Sequence, residues 1–373
     1  MVPPEPGGDR ALRGGPVVKV LVAMSGGVDS SVAAALVAEA GHEVVGVTMK
    51  LWGGPSDQGC CSVADVDDAR RVADRLGIEH HVFNFADDFE AKVVTPYVEA
   101  HARGETPNPC IECNRHLKFD RLTTRAATLG FDAVATGHHA RIAVGSDGVR
   151  RLRRGVDGAK DQSYVLYMLG REALAGLLLP VGELTKAEVR RRAAALGLRT
   201  ADKPDSQDVC FIQSRSGRAG FLAERLPLRP GTVVDAAGSV LGTVPAVQLV
   251  TIGQRRGLGA AGGTEPRYVL DVDVEGATVT VGDRRQLAVR DQPLRDLDWT
   301  SGPVASSHEA PLEAQVSAHG RAQPAVVVPA PGSALGARGP AVLRWIEPQR
   351  RVAAGQAVVL YRGDVVVGGA LAA

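Results

Sequence analysis

Residues 17–24 (VVKVLVAM) are apolar at almost every position. They run straight into Ser25-Gly26-Gly27-Val28-Asp29-Ser30-Ser31, and then into an Ala/Val-rich stretch over 30–40 that stops near Gly41. A half-wet strand alternates polar and apolar residues. An unbroken apolar run is buried on both faces, as in a parallel sheet. A short loop turning directly into helical spacing makes this a strand–loop–helix unit. That restricts the N-terminal half to a parallel α/β fold. The alternation continues with a strand over 42–49, an amphipathic helix over 65–76 capped by Gly77, and a strand over 80–85. Helices follow over 89–102 and 114–129, then a short strand over 133–136. Helical patterning runs on through 163–178 and 186–196.

Near residue 215 the texture changes. From Gly231 the chain breaks into short β runs between glycine turns (TVVDAAGSVLG, AVQLVTIG, RYVLDVDVEGATVTVG), and a second break falls at 294–302. The tail alternates as a small barrel does. The predicted layout is a disordered lead-in over 1–16, a parallel-sheet domain over 17–215, a central β domain over 216–293 and a C-terminal β-barrel domain over 294–373. The lead-in, MVPPEPGGDRALRGGP, has no apolar core and is not a secretory signal. No stretch approaches the roughly 20 apolar residues of a membrane helix, so a cytoplasmic chain with no membrane partner is expected.

Charge narrows the class further. Lys+Arg is 43 against Asp+Glu 42, a formal net charge of +1. That excludes a histone-like polybasic chain but not a local basic face. Only seven of the basic residues are lysine, and none follows Lys203.

The loop after the first strand carries the chemistry of an anion site. Gly26 and Gly27 permit positive φ and close backbone approach. Ser25, Ser30 and Ser31 bring hydroxyls, and the helix start offers unpaired N–H groups and the positive end of its dipole. Asp29 repels a bare phosphate, so it either orients the loop or holds Mg²⁺. There is no Gly-Lys-Ser/Thr as in a Walker loop and no GxGxxG.

There are five cysteines: Cys60, Cys61, Cys110, Cys113 and Cys210. An odd number in an unexported chain argues against a disulfide framework. Cys110 and Cys113 form a CxxC in a proline-stiffened loop, Thr106-Pro107-Asn108-Pro109-Cys110-Ile111-Glu112-Cys113-Asn114, with Cys113 and Asn114 at the next helix start. A helix N-terminus favours thiolate. Cys210 stands far along the chain in Pro204-Asp205-Ser206-Gln207-Asp208-Val209-Cys210. Two reactive cysteines in separate polar loops suit a persulfide relay. Cys60 and Cys61 are expected to be non-catalytic.

The loop resembles the SGGxDS loop of the ATP pyrophosphatases, which split ATP between its α and β phosphates. From residue 17 to the C-terminus the chain resembles the tRNA-specific 2-thiouridylases of the MnmA/TrmU family. The matching blocks are AMSGGVDSSVAA, GVTMKLW, TPNPCIECNRHLKF, ATGHHAR, AKDQSYVLY, KPDSQDVCFI and GQRRGLG. The resemblance implies a Rossmann-like ATP pyrophosphatase domain and 2-thiolation of the wobble uridine of tRNA. The acceptors would be the Lys, Glu and Gln tRNAs, with a cysteine desulfurase or sulfur-relay protein as donor; a monomer is the default expectation.

By the same resemblance, Ala23, Met24, Ser25, Gly26, Gly27, Val28, Asp29 and Ser30 bind ATP, and Met49 and Gly137 line the adenosine pocket. Asn108, Pro109 and Cys110 approach the target base. Cys113 is the nucleophile and Cys210 bears the persulfide. His138, Lys160, Asp161, Gln162 and Gln356 contact tRNA.

Two departures stand out. Cys110 replaces an Asp found in many relatives, so Cys110, Cys113 and Cys210 could instead ligate a 4Fe-4S cluster carrying sulfide. His319-Gly320-Arg321 replaces an Arg-Tyr-Arg run, leaving Arg321 as the tRNA candidate there. In the relay version the reaction ends with a Cys113–Cys210 disulfide. Arg150, Arg151, Arg153 and Arg154 form a basic cluster that either meets tRNA phosphate or is a solvated face. Arg255 and Arg256 in a glycine-bounded turn are expected to grip the tRNA backbone, and Arg190, Arg191 and Arg192 to lie on a helix surface. The alternatives are another ATP pyrophosphatase, such as an amidotransferase-type synthetase or a sulfurylase, and a non-catalytic RNA-binding relative.

Overall fold

The computed structural model describes residues 16–51, 62–205, 209–212, 217–259, 266–300, 312–332 and 338–373. Cys60, Cys61 and residues 206–208 lie outside the described residues. The chain divides into two units. The first comprises 1–93, 110–213 and 364–366, and the second 94–109, 214–363 and 367–373.

In the first unit β1 (Lys19–Ala23), β2 (Glu43–Lys50), β3 (Glu79–Asn84), β4 (Ala133–Thr136) and β7 (Leu177–Leu178) form a parallel sheet in the order β3-β2-β1-β4-β7. Val20, Leu21 and Val22 of β1 are fully buried, which explains the unbroken apolar run. Helix α1 (Val28–Glu39) buries Val28, Val32, Ala33, Ala34 and Val37, and the sheet core continues through Val44, Val72 and Val181. Helix α2 (Val63–Leu76) opens with a Ser62/Asp65 capping box and ends at Gly77 with φ +67, as its sequence required. Because β2 and β4 flank β1 on opposite sides, the carboxyl ends of β1 and β4 form the switch point of the sheet, where α/β folds bind ligands.

Several sequence expectations are corrected here. The 163–178 stretch is not one helix. It is a turn of 3₁₀ helix at Ser163–Leu166, a short helix Arg171–Ala175 and then β7, because Gly170 and Gly176 interrupt it and Leu177 pairs with Val134. The helix expected from 114 starts at Pro109, a good first helical residue, and becomes π-helical over Cys113–Arg121. The arginine run is strand β6 (Arg150–Arg154), paired with β5 (Ala140–Val144) in a hairpin.

In the second unit β8 (Gly231–Val234), β9 (Val240–Val244), β10 (Tyr268–Asp273) and β11 (Thr278–Gly282) form a four-stranded sheet, order β10-β11-β8-β9, over a valine core. The strands β12 (Ala288–Trp299), β13 (Leu312–Gln315), β14 (Gln323–Pro329), β15 (Arg338–Arg350), β16 (Ala357–Arg362) and β17 (Val365–Ala372) follow in the order β12-β15-β14-β13-β16-β17, and β12–β17 pairing closes the barrel. Closure removes exposed edges, and Trp345 and Tyr361 are fully buried. Strand β12 runs across position 294, where the last domain boundary was expected. Among the described residues no helix is long and apolar enough to cross a membrane.

Candidate phosphate-loop and cysteine site

The loop from Met24 to Gly27 leaves the end of β1 and enters α1. Gly26 has φ +69, and a Cβ there would lie 2.4 Å from the Asp65 carbonyl oxygen, so only glycine fits. The Ser30 hydroxyl accepts from the Ser25 amide at 3.1 Å and donates to the Gly27 carbonyl at 3.1 Å. Ser31 donates to the same carbonyl at 2.8 Å and accepts from Thr200 at 3.2 Å. These bonds fold the loop around its own helix start and leave that dipole end as an anion site. Met24 is buried, with the Gly46 surface against its sulfur, and its carbonyl accepts from Thr48 at 2.8 Å. Ala23 and Val28 are buried against the sheet, and Met49 is buried at the end of β2.

Gly137, leaving β4, meets the loop backbone: a Cβ on it would be 2.5 Å from the Ser30 nitrogen. His138 follows, buried, with Nδ1 2.7 Å from the Thr136 hydroxyl and its ring 5.6 Å from that of Phe119. Burial, and then the Lys118 charge, hold His138 well below the ordinary histidine range. His139 Nε2 is 3.0 Å from the Asp29 carboxylate, and its amide donates to Gln162 at 2.9 Å.

Asp29 is held by two basic groups. Lys186 donates to both its oxygens, at 2.8 and 2.7 Å. Burial works to raise the Asp29 carboxyl, but the bonds from His139 and Lys186 outweigh it and set it below its usual value. Lys186 and His139 thus engage the carboxylate that was expected to orient the loop or hold Mg²⁺. Among the described residues no three Cys, His, Asp or Glu side chains group as a metal site. Lys186 also pairs with Asp205 at 2.8 Å, which in turn holds Lys160 and Arg190, each at 2.8 Å. Burial works to raise the Asp205 carboxyl, but the bonds from Lys160 and Lys186 outweigh it and bring it to about 2. Lys203 donates to Gly26 at 3.0 Å, Asp65 at 2.7 Å and Asp68 at 2.8 Å.

Sequence reasoning missed Lys186 and Asp205 as site residues. The signal was the scarcity of lysine: Lys186 is one of seven. Arg190, expected on a helix surface, instead faces Asp205 and donates to the Ala201 carbonyl at 2.6 Å.

The cysteines sit differently. Cys110 is exposed on Pro109–Glu112, Cys113 is buried at the head of the π-helical turn, and Cys210 is half-buried. Asn114 anchors the Cys113 turn by donating to the Val165 carbonyl at 3.0 Å. Phe211 fixes the Cys210 segment edge-on against Phe89, with ring centroids 5.6 Å apart.

Asp161 lies inside a closed set of bonds from Arg154, Gly155 and Ser163 at 2.8 to 3.0 Å, while Gln162 is solvent-exposed. The arginine cluster is largely satisfied within the protein. Arg151 pairs with Asp147, Arg153 with Asp364 at 2.7 Å, and Arg154 with Asp161, while Arg150 donates to the Leu177 carbonyl. In the second unit Pro109 is buried, Asn108 and Gln356 are half-buried, and Arg255, Arg256 and Arg321 are exposed.

The chain matches three families in succession. These are described as the tRNA methyl transferase HUP domain over residues 18–214, the tRNA methyl transferase PRC-barrel domain over 219–283 and the Aminomethyltransferase beta-barrel domain over 294–372. It is 49% identical over 367 residues to the tRNA-specific 2-thiouridylase MnmA of Mycolicibacterium paratuberculosis, covering 95% of this chain and 98% of the relative. It is 47% identical over 378 residues to that of Roseiflexus sp., covering 95% and 98%. Among solved structures, the U34-tRNA thiolase NcsA from Methanococcus maripaludis with its 4Fe-4S cluster is 19% identical over 58% of this chain and 68% of that one, with a TM-score of 0.37. That likeness is too remote to bear on function. The identity and coverage of the first two relatives decide the matter: the chain belongs to the tRNA-specific 2-thiouridylase family.

Proposed function

We propose that this protein is a tRNA-uridine 2-sulfurtransferase that uses ATP to convert the wobble uridine of tRNA to 2-thiouridine. The observation that carries the reading is a pyrophosphate loop built at the sheet's switch point and bonded, through Lys186 and Lys203, to the segment that leads to Cys210. A bare RNA-binding relative has no need of that loop, and an amidotransferase-type synthetase or a sulfurylase has no need of the cysteines.

ATP lies with its phosphates over Ser25, Gly26, Gly27 and Ser30 and its adenosine against Met49 and Gly137. The uridine C2 oxygen attacks the α-phosphate, pyrophosphate leaves, and the C2 position acquires a good leaving group. Cys210 carries sulfur as a persulfide. Cys113 attacks the Cys210 sulfur, the terminal sulfur passes to C2, AMP departs and a Cys113–Cys210 disulfide remains for an external reductant.

In the first unit Cys110, His138, Lys160, Asp161 and Gln162, and in the second Asn108, Pro109, Arg321 and Gln356, are the residues for tRNA contact. The cluster version fits less well: Cys110 is exposed and Cys113 buried, and no metal-binding group of three forms among the described residues, so no step is routed through iron. The domain division is that of residues 17–215, 216–293 and 294–373. The protein acts as a cytoplasmic monomer on Lys, Glu and Gln tRNAs, with a cysteine desulfurase or relay protein as donor.

The test is thiolation in vitro with tRNA, ATP and a cysteine desulfurase, with iron and sulfide assayed in the enzyme. Expected products are 2-thiouridine, AMP and pyrophosphate, formed only with tRNA and by iron-free enzyme. No AMP with any tRNA would return the chain to the RNA-binding class. Activity strictly proportional to iron content would restore the cluster.

A further inference from the structure

The peptide between Met24 and Ser25 opens the phosphate loop, and both of its polar groups are bonded. Its carbonyl accepts from the hydroxyl of Thr48, on β2, at 2.8 Å, and its N–H donates to the hydroxyl of Ser30, in α1, at 3.1 Å. A peptide unit is planar, so turning the carbonyl turns the N–H with it. Thr48 therefore helps to set where Ser25 and Gly26 stand at the α1 N-terminus. The Thr48 hydroxyl has one proton, and that proton goes to Met24. Toward His80 Nε2, 2.9 Å away on β3, the same oxygen can only accept, so Nε2 carries the hydrogen. Thr48 is fully buried, and His80 Nδ1 is buried with no hydrogen-bond partner among the described residues. Burial first, then the charges of Arg70 and His81, against that of Asp74, lower the His80 pKa and keep its ring neutral at pH 7. Gly46 leaves the space for this approach: a Cβ there would lie 2.5 Å from the Met24 sulfur and 3.3 Å from His80 Cδ2.

We propose that His80 is a positioning residue for the nucleotide: by fixing the Thr48 hydroxyl it sets the Met24–Ser25 peptide, and through that peptide the shape of the phosphate loop. The proposal rests on the ATP reading above. A hydroxyl hydrogen rotates to suit its surroundings. The His80 donor occupies one side of the Thr48 oxygen and leaves its proton aimed at the Met24 carbonyl. Without that donor the proton has other settings, and the peptide loses its fixed partner. The Ser25 amide then leaves the Ser30 hydroxyl, which also serves the Gly27 carbonyl. His80 acts only through Thr48, and Thr48 only through the Met24 carbonyl.

The test is titration of the full chain with α,β-methylene-ATP, for wild type and for variants at His80 and Thr48. Thr48→Val keeps the shape of the side chain and deletes the hydroxyl. It is expected to weaken binding about tenfold, the equivalent of one hydrogen bond to a buried carbonyl. His80→Leu weakens binding about threefold or more, while His80→Gln, whose amide N–H stands in for Nε2–H, binds within about twofold of wild type. In Thr48→Val protein the further change His80→Leu costs less than about twofold, because the connection is already cut. A histidine that only packs against β2 would show neither the glutamine rescue nor that non-additivity. If His80→Leu does not fold, His80→Asn, too short to reach Thr48, takes its place with the same expected loss.

Wild-type affinity in Thr48→Val or in His80→Leu overturns the proposal. So does a His80→Gln protein as weak as His80→Leu, and so do losses that multiply in the double variant. Wild-type protein that binds no analogue overturns the ATP reading itself, and the proposal with it.

Discussion

Gly137 and Ser30 approach each other so closely that a Cβ on Gly137 would lie 2.5 Å from the Ser30 nitrogen and 2.7 Å from the Asp29 carbonyl carbon. Those are backbone atoms, so neither can swing aside as a side chain would. Gly137→Ala is expected to push the exit of β4 off the phosphate loop and to destabilise the protein by about 1–3 kcal/mol. It should weaken ATP binding as well, because the loop is what moves. Urea unfolding and nucleotide titration check both. An alanine variant as stable and as tight-binding as wild type would show that the contact has room to spare.

Lys203 offers a second test of how the loop is held. It serves Gly26, Asp65 and Asp68 together. Burial works to lower its pKa, but the bonds to Asp65 and Asp68 prevail and raise it above the ordinary 10.5. A lysine with a raised folded pKa contributes stability that is complete below its unfolded pKa and fades as pH rises through the folded one. Lys203→Met is therefore expected to cost about 1–3 kcal/mol at neutral pH. The gap to wild type should narrow above pH 10.5. Unfolding curves at pH 7 and pH 11 decide, and a gap independent of pH would mean that Lys203 acts through packing alone.

The contrast between Gly26 and Lys186 shows what the sequence could reveal. The loop was legible because its constraints are local: an apolar strand, two glycines and a helix start lie within a dozen residues. Lys186 was not, because its partners Asp29 and Asp205 lie far from it in the chain and nothing in TKAEV names them. Strand β6 failed for a different reason. Four arginines in five positions hide the period-2 signal, and their partners Asp147, Asp161 and Asp364 appear only once the hairpin forms. Strand β7 is two residues long and takes its identity wholly from β4.

Acid should unfold the protein partly through buried histidines. His101 is 2% exposed, and burial first, then the Arg218 charge, lower its pKa to about 4. The unfolded chain protonates near 6.5, so the unfolded state binds more protons between these values. Stability is then complete above pH 6.5 and declines as pH falls toward 4. For His101 the loss is about 2 kcal/mol at pH 5. His138 shifts in the same direction and adds to the slope. Comparing His101→Leu with wild type at pH 7.5 and pH 5 isolates the titration from the change in packing. The variant should lose less stability than wild type over that interval, and parallel losses would clear His101 of any part in it.

The cysteines separate the two sulfur chemistries by which of them can be spared. In a relay, sulfur leaves Cys210 by attack from Cys113, so each is indispensable, and Cys110 is not. In a cluster all three are ligands, and losing any one opens a second iron position. Cys113→Ser and Cys210→Ser are expected to lower 2-thiouridine formation by about a thousandfold or more, the scale of nucleophile deletions. Both should still release pyrophosphate when tRNA is added, because the phosphate loop is untouched. Cys110→Ser should retain most of the thiolation, in keeping with its exposure on the helix surface. Nucleoside mass spectrometry of the tRNA product reads all three variants. If Cys110→Ser is as inactive as the other two, the relay is wrong and a three-cysteine site takes its place.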